Sequence, residues 1–399
     1  MDPASPRIAA VKSRLQRGDN QAADELWEEL EQSGTPLIER TDPSNELLVT
    51  LLTRQSDATR LSVVGGLSGL DPTDARMRRL GGSQLWYRTY RAPANLRTVY
   101  AFAPSKAADD PNRWTADPLN PRTFLYPADP EAPDDPEARV SVLDLPDAPP
   151  FRWSVSADAP QGATTLHRLR SARLGNERRV YAYTPAGYDE SEDGYPFLVI
   201  FDGWAFTQLV SAPATLDHLI AANAIPKVVA ILPDSLDNPT RMRELWLDDG
   251  FNAFIADELL PWARARLRLS DDPQRVTIAG SSLGGVAATY FALQRPDIAR
   301  NVISMSGAFQ ISPAGEPEPI WLGRELASRD RAPVRFWLDA GTLERLPDLQ
   351  YGVSILAANR HVRDTLTARG YEVHYREFPG GHDYFWWAET LGEALVALN

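Results

Sequence analysis

Residues 280–284 read Gly-Ser-Ser-Leu-Gly, and the spacing of the two glycines makes Ser282 a candidate nucleophile. The pentapeptide follows residues 275–279, whose apolar run predicts a buried strand, and overlaps the start of a helical pattern at 283–294. A sharp strand-to-helix turn would strain the Ser282 backbone and expose its hydroxyl above the sheet, with the glycines leaving room for neighbouring backbone. We therefore predict acyl-transfer chemistry at Ser282 rather than at Ser281, which does not lie midway between the glycines. A tight glycine turn without chemistry is the alternative.

Backbone amides near this turn could bind the negative charge that develops on an attacked carbonyl oxygen. The Leu283 amide begins the predicted helix, where the helix dipole assists it. We expect a second amide from the loop after the predicted strand 197–201. Trp204 fits, because the glycine before it lets the backbone approach a substrate closely. An ordinary strand-to-helix turn is the alternative interpretation of residues 201–204.

A serine of this kind needs a general base, and His382 is the strongest candidate among the five histidines. It follows the predicted strand 372–378 and a Pro-Gly-Gly loop, and it precedes the last predicted helix. Loops at strand ends carry catalytic groups in open α/β sheets. The other four histidines precede Ser282 or lie inside a predicted helix or strand, where structural roles are expected.

The base in turn needs a carboxylate, which in this chain order lies between the serine and the histidine. The predicted strand 334–338 is followed by Asp-Ala-Gly-Thr-Leu-Glu, so both Asp339 and Glu344 are candidates, with Asp348 more distant. The acid would hold the imidazole in one tautomer and stabilise its cation.

The elements that position these residues divide the chain into two predicted domains, 1–150 and 151–399. The second alternates strands and helices, and its internal strands are almost continuously apolar, which predicts an α/β domain with a mainly parallel sheet. Strands are predicted at 167–174, 179–184, 197–201, 227–232, 275–279, 302–305, 334–338 and 372–378, and helices at 207–222, 251–267, 283–294, 352–369 and 383–398.

The first predicted domain begins with one or two short helices within residues 6–33. Short strands separated by glycine and proline turns then predict a smaller β-sandwich, with strands at 46–52, 61–64, 85–91 and 97–103. Residues 104–150 are rich in proline and acidic residues. That composition predicts an extended, acidic connector without a core of its own.

Composition excludes several classes of protein. The 399 residues contain no cysteine, which excludes disulfide scaffolds, thiolate metal sites and a cysteine nucleophile. The net charge of −13 disfavours nucleic acids and anionic membranes as partners. No apolar run approaches the ~18 residues of a membrane span. Residues 1–18 lack the apolar core of a signal peptide, so a cytoplasmic protein is predicted.

Residues from about 160 to 399 resemble the esterase-D-type α/β hydrolases, and within them the enterochelin (ferric enterobactin) esterases. The resemblance is carried by Phe-Asp-Gly at 201–203, Arg-Met-Arg-Glu-Leu at 241–245, the glycine-serine turn at 280–285 and Gly-Gly-His-Asp at 380–383. Residues 85–90, 95–102 and 117–121 are also similar to that family's own amino-terminal domain, which other esterase-D-type enzymes lack. The resemblance thus covers most of the chain.

The resemblance implies hydrolysis of the ester (trilactone) backbone of a ferric catecholate siderophore, with Ser282 forming an acyl-enzyme. Iron would arrive only as part of the substrate, and no other metal or cofactor is implied. Because the ferric catecholate is an anion, Arg241 and Arg243, expected in the loop after strand 227–232, are predicted to bind it. Glu244 is a candidate to position Arg241, or to form a purely structural ion pair. Aromatic faces for the catechol rings are expected from Trp204, Trp246, Tyr384, Trp386 and Trp387.

The resemblance also bears on the acid. Residues 341–344 resemble the Gly-x-x-acid stretch that carries the triad acid in several esterase-D-type enzymes, which favours Glu344. Asp339 remains the alternative acid, and a Ser–His dyad without an acid is the third possibility.

Two other functions compete with the siderophore esterase. The first is another carboxylesterase or acyltransferase of this type, such as a feruloyl or acetyl-xylan esterase. The second is a non-catalytic, ligand-binding hydrolase fold, against which the complete order of serine, acid and histidine argues.

Overall fold

The computed structural model describes residues 3–40, 45–56, 58–71, 74–107, 110, 113–132, 137–153, 159–190 and 194–399. The chain divides into two compact units. The first unit contains Met1–Pro150 together with Thr342–Arg345 and Pro379–Asp383, and the second contains the rest. The sequence did not predict that two short segments from the later part of the chain belong to the first unit.

Within its described residues, the first unit contains two α-helices and two antiparallel sheets of four strands each. Its elements are α1 Pro6–Gln16, α2 Ala22–Ser33, β1 Leu37–Glu39, β2 Glu46–Arg54, β3 Leu61–Gly65, β4 Arg78–Arg79, β5 Leu85–Pro93, β6 Arg97–Pro104, β7 Thr123–Tyr126 and β8 Ala138–Asp144. The strand orders are β1-β2-β5-β4 and β3-β6-β8-β7. Apolar residues of both sheets, among them Val49, Tyr90, Val63 and Phe102, form one buried core. The predicted β-sandwich is confirmed.

The predicted connector at 104–150 is wrong for part of its length. Strands β7 and β8 lie within it, and Val140, Val142 and Leu143 of β8 are buried. These two strands form one side of the second sheet, and the proline-rich, acidic residues around them concealed their pattern in the sequence. Residues 108–109, 111–112 and 133–136 of the predicted connector lie outside the described part of the chain.

The second unit contains one eight-stranded sheet with helices on both faces. Its elements are β9 Ala163–Ser171, β10 Asn176–Thr184, β11 Phe197–Ile200, α3 Gly203–Gln208, α4 Ala212–Ala221, β12 Val229–Pro233, α5 Asn238–Leu245, α6 Asp249–Phe254, α7 Leu260–Arg264, β13 Val276–Ser281, α8 Leu283–Gln294, β14 Asn301–Met305, α9 Trp321–Ser328, β15 Arg335–Gly341, α10 Ile355–Ala368, β16 Glu372–Phe378 and α11 Tyr384–Leu398. The strand order is β16-β15-β14-β13-β11-β12-β10-β9. The strands from β16 to β12 are parallel, and β10 is antiparallel to both of its neighbours.

Strand β11 shows why the internal strands are apolar throughout. Phe197 and Val199 point into the core beneath one set of helices, whereas Leu198 and Ile200 point into the core beneath the other set. Successive side chains of a strand face opposite sides of the sheet, so a strand covered on both faces needs a continuous apolar run. The predicted α/β class with a mainly parallel sheet is confirmed.

The helix predictions need correction at three places. The helix predicted at 207–222 is two helices, α3 and α4. Helix α9 was not predicted. Arg241 lies in helix α5 rather than in a loop. The Asp237 side chain caps this helix by accepting a hydrogen bond from the Thr240 amide at 2.7 Å, and Pro239 occupies its first turn.

Candidate functional site

Ser282 forms a strained turn at the end of β13, in the second unit. Its backbone has φ 55° and ψ −121°, a region that non-glycine residues rarely adopt. The Ser282 amide donates to the Met305 carbonyl at 2.9 Å, and its carbonyl accepts from the Ala308 amide at 2.9 Å. A Cβ on Gly280 would lie 2.5 Å from the Gly284 carbonyl carbon, so the turn requires glycine there. The backbone is that of a nucleophile elbow.

The two adjacent serines differ in burial. Ser281 is 0% exposed, and its Oγ has no hydrogen-bond partner among the described residues. Ser282 is only half-buried. A buried hydroxyl cannot meet a substrate, so the geometry favours Ser282 as the sequence predicted.

The Leu283 amide is the first N–H group of α8. The first amides of a helix have no intrahelical acceptor, and the positive end of the helix dipole favours negative charge there. Helix α8 therefore begins with a polarised donor directly beside the Ser282 carbonyl carbon.

The Trp204 amide does not match its prediction. It donates its single hydrogen to Asp234 Oδ1 at 2.8 Å, and it is therefore occupied rather than available to an oxyanion. Asp234 is 5% exposed and pairs with Arg179. Burial raises the pKa of Asp234 to about 6, although the Trp204 and Arg179 contacts oppose the shift.

Arg241 is held by Asp202, which lies two residues beyond the end of β11. Its Nε and Nη2 atoms donate to the two Asp202 carboxylate oxygens at 2.8 and 2.7 Å, a bidentate pair. Burial favours the neutral guanidine, but the Asp202 carboxylate and Tyr384 outweigh it and raise the pKa of Arg241. The Arg241 side chain remains 21% exposed. The sequence missed this pairing, because the two residues lie 39 positions apart.

Glu244 does not position Arg241. It forms a buried, bidentate ion pair with Arg178, whose Nη2 and Nη1 atoms donate to its carboxylate at 2.8 and 2.9 Å. The structural interpretation of Glu244 is therefore the one that the geometry favours. Arg243, by contrast, is 63% exposed and lies 3.8 Å from the same carboxylate.

The predicted aromatic contacts divide into two groups. Trp387 is 3% exposed, and its indole N–H donates inward to Ser306 Oγ at 3.1 Å, so its prediction as a substrate contact is wrong. Trp386 is also fully buried. Trp246 and Tyr384 are half-buried and remain candidates. The indole N–H of Trp246 donates to the Ser312 carbonyl at 2.8 Å.

His382 and Glu344 form a hydrogen-bonded pair in the first unit. The His382 Nδ1 atom lies within hydrogen-bond distance of Glu344 Oε1, although the two residues are 38 positions apart. The Glu344 side chain is 1% exposed and that of His382 is 36% exposed. This contact assigns the proton to Nδ1 and leaves Nε2 as the acceptor of the neutral ring.

Asp339 is engaged elsewhere. It is 0% exposed, and its two carboxylate oxygens accept from the Ser306 amide at 2.9 Å and from the Trp337 indole N–H at 3.0 Å. The contact with Ser306 joins β15 to the residue that follows β14. Between the two candidate acids, Glu344 is the one with a hydrogen bond to His382.

No group of three or more His, Asp or Glu side chains is placed to hold a metal ion within the described ranges. In the same part of the chain, no helix combines the length and the hydropathy of a membrane span.

Comparison with known proteins agrees with this architecture. The model of the putative esterase family matches residues 171–398, and the model of the enterochelin esterase N-terminal domain matches residues 48–154. The iron(III) enterobactin esterase of Dickeya dadantii is 29% identical over 96% of this chain and 94% of its own length. That of Escherichia coli K12 is 28% identical over 81% of each chain.

Solved structures show the same likeness. The ferric enterobactin esterase of Salmonella typhimurium superposes with a TM-score of 0.75 at 26% identity, covering 92% of this chain and 96% of that one. The enterobactin esterase of Shigella flexneri, crystallised in the presence of enterobactin, gives a TM-score of 0.74 at 26% identity with the same coverage.

A mainly parallel sheet with a strained serine at a strand-to-helix elbow defines an α/β hydrolase. The chain belongs to the putative esterase family, in the branch that also carries the enterochelin esterase N-terminal domain.

Proposed function

We propose that this esterase uses Ser282 to hydrolyse the trilactone backbone of a ferric catecholate siderophore such as ferric enterobactin. The strained elbow at Ser282 is the observation that carries the chemistry. The substrate class rests on similarity over nearly the whole chain, including the amino-terminal domain, to proteins named iron(III) enterobactin esterases. In this proposal iron is part of the substrate, and cytoplasmic location stays a prediction.

The proposed reaction has two halves. The Ser282 Oγ attacks an ester carbonyl carbon while its proton passes to His382 Nε2, and the tetrahedral intermediate then collapses and expels the serine alcohol of the siderophore. That alcohol takes the proton from His382 and leaves an acyl group on Ser282. A water molecule then attacks the acyl-enzyme and loses a proton to His382. The second tetrahedral intermediate collapses, the Ser282 Oγ leaves and takes that proton back from His382, and the carboxylic acid is released.

Two further groups support these steps. Glu344, with its hydrogen bond to His382 Nδ1, would hold the tautomer in which Nε2 is free and stabilise the imidazolium. The Leu283 amide would donate to the oxyanion of the tetrahedral intermediate. Removal of one such donor in other enzymes costs about 10²–10³ in kcat.

Substrate binding would use the two arginines of α5. Arg241 is fixed by Asp202 in one orientation, which leaves part of its guanidinium exposed, and Arg243 is largely exposed. A preorganised guanidinium loses little freedom when it binds an anion. Trp246 and Tyr384 would contribute aromatic faces to the catechol rings.

The Asp202–Arg241 pair permits a test of charge recognition without leaving a buried carboxylate unpaired. The double variant Asp202→Asn/Arg241→Gln replaces it by two neutral amides that can still bond to each other. We expect KM for the ferric catecholate to rise about 10–100-fold, which corresponds to the binding free energy of one hydrogen bond to a charged group. Hydrolysis of p-nitrophenyl acetate should stay near the wild-type rate. An equal loss on both substrates would give the pair a purely structural role.

The substrate class is tested by comparing hydrolysis of a ferric catecholate trilactone with that of a feruloyl ester, each followed by product chromatography. We expect a much higher kcat/KM for the trilactone. A preference for the feruloyl ester would overturn the proposal in favour of another esterase of this family. A curated endo-1,4-beta-xylanase/feruloyl esterase is 24% identical over only 32% of this chain.

A further inference from the structure

One short turn of the first unit contacts both the segment that contains Glu344 and the segment that contains His382. Residues Gly66–Leu70, here called the double-glycine turn, form a 3₁₀ helix directly after β3. In a 3₁₀ helix, residues three apart lie on the same side because there are three residues per turn. Gly66 and Gly69 are three apart and therefore share one face.

Gly69 contacts the segment that carries Glu344. A Cβ on Gly69 would lie 1.9 Å from the Leu343 carbonyl oxygen and 2.8 Å from its carbonyl carbon. Leu343 immediately precedes Glu344, and its side chain is 3% exposed in the sandwich core. Only a residue without a side chain allows the backbone of this segment to approach so closely.

Gly66 contacts the segment that carries His382. A Cβ on Gly66 would lie 2.0 Å from Thr98 Oγ1 and 3.2 Å from the Gly381 Cα, and a Cβ on Gly381 would lie 2.6 Å from the Gly66 Cα. Thr98 Oγ1 also donates a weak hydrogen bond to Asp383 Oδ2 at 3.4 Å. The residues on both sides of His382 thus contact this corner of the sandwich.

The two segments are also joined to each other and to the sandwich through their backbones. The Leu343 amide donates to the Gly380 carbonyl at 2.9 Å. The Arg97 amide, at the start of β6, donates to the Pro379 carbonyl at 2.9 Å. These bonds fix the spacing between the segments, while the double-glycine turn fixes where both of them lie.

We propose that the double-glycine turn is a positioning device for catalysis, in which Gly66 and Gly69 set the geometry of the His382–Glu344 pair. The inference rests on the proposed roles of those two residues in ester hydrolysis. The amino-terminal sandwich then takes part in the chemical step itself, because it orients the general base. A domain that only bound the siderophore would affect KM and leave the hydrogen bond of the pair unchanged.

The test compares Gly69→Ala with the matched control Gly82→Ala in the full-length protein. Gly82 lies in the same unit, and a Cβ there would meet nothing within 4 Å. With p-nitrophenyl acetate, we expect Gly69→Ala to lower kcat by about 100-fold, the cost of misplacing a catalytic group by about 1 Å. KM should stay near wild type, and Gly82→Ala should behave as wild type.

A second measurement reports on the pair without any substrate. The imidazole N–H that donates to Glu344 should give a far-downfield proton NMR resonance, assigned by its loss in His382→Ala. We expect this resonance to shift or disappear in Gly69→Ala and to persist in Gly82→Ala. Normal kcat with an unchanged resonance in a folded Gly69→Ala protein would overturn the proposal, as would equal losses in Gly82→Ala.

Thermal unfolding shows whether each variant is folded. If Gly69→Ala does not fold, the same measurements are made on Gly66→Ala in a Thr98→Ala background. Truncating Thr98 removes the closest obstruction, and the new methyl group then lies 3.2 Å from both the Gly381 Cα and the remaining Cβ at position 98. The background variant alone is the control, and equal kcat and resonance in both proteins would overturn the proposal.

Failure of the proposed function gives a different pattern. A wild-type protein that hydrolyses p-nitrophenyl acetate but no catecholate trilactone contradicts only the substrate. Retained activity in Ser282→Ala and His382→Ala contradicts the triad. In both cases the NMR comparison still decides whether the turn positions the His382–Glu344 pair.

Discussion

Ser282→Ala should lower kcat for ester hydrolysis by about 10⁶-fold, the loss seen when the nucleophile of a serine triad is removed. The physical reason is that the substitution removes the hydroxyl on which the proposed acyl-enzyme forms. Thermal unfolding should change little, because the Ser282 backbone rather than its hydroxyl makes the hydrogen bonds that hold the turn. Initial rates with p-nitrophenyl acetate and with the ferric catecholate trilactone measure the loss.

Ser281→Ala is the matched control for this result, since it removes a hydroxyl at the adjacent position. Ser281 Oγ is fully buried, and we expect activity close to wild type. Loss of activity in Ser281→Ala with retention in Ser282→Ala would mean that the nucleophile lies one residue earlier.

Glu344→Gln should lower kcat by about 10⁴-fold with little change in KM, because the amide favours the wrong imidazole tautomer and cannot stabilise the cation. The substitution keeps the shape of a side chain that is 1% exposed, so the protein should remain folded. Steady-state kinetics on p-nitrophenyl acetate separates kcat from KM.

Asp339→Asn is the comparison, and the structure predicts a different outcome for it. Both Asp339 oxygens accept hydrogen bonds, one from the Ser306 amide and one from the Trp337 indole N–H. Asparagine has only one oxygen at this position, so its NH₂ group would face one of these two donors and that hydrogen bond would be lost. We expect a lower midpoint of thermal unfolding with near-normal kcat. The reverse pattern would make Asp339 the acid, and mild effects of both substitutions would indicate a Ser–His dyad.

The features that could be predicted from the sequence are those that the local chain determines. Strand β11 was predicted because both of its faces are buried, which leaves a continuous apolar run. The elbow was predicted because its geometry requires glycines at fixed positions around Ser282. His382 was chosen as the candidate base because it lies in the loop after a predicted strand. In the structure, three loop residues separate it from the end of β16.

The elements that were missed have weak local signals. Helix α5 contains one buried apolar side chain, Leu245, so it shows no apolar period. Its start signal, an Asp cap followed by proline in the first turn, is nevertheless present at Asp237 and Pro239. Strand β8 lies beside a proline-rich acidic stretch, and composition averaged over the whole segment concealed it.

Contacts that depend on tertiary packing could not be predicted. The rotation of α11 about its axis turns Trp387 into the core, and nothing in its local sequence specifies that rotation. The bond between Trp204 and Asp234 depends on how the first turn of α3 meets the residue after β12, 30 positions later. The choice between Glu344 and Asp339 likewise depends on which carboxylate reaches the imidazole.

The first unit is discontinuous along the chain, and this has a consequence for how the protein folds during its synthesis. The sandwich core includes Leu343, and the hydrogen bond between Thr98 and Asp383 joins residues 285 positions apart. Amino-terminal domains usually fold as units while the rest of the chain is still on the ribosome. Here the sandwich core is complete only after the segment around residue 343 has emerged, and the closure of so long a loop is slow. We therefore expect a nascent chain to place His382, the proposed general base, among the last events of folding.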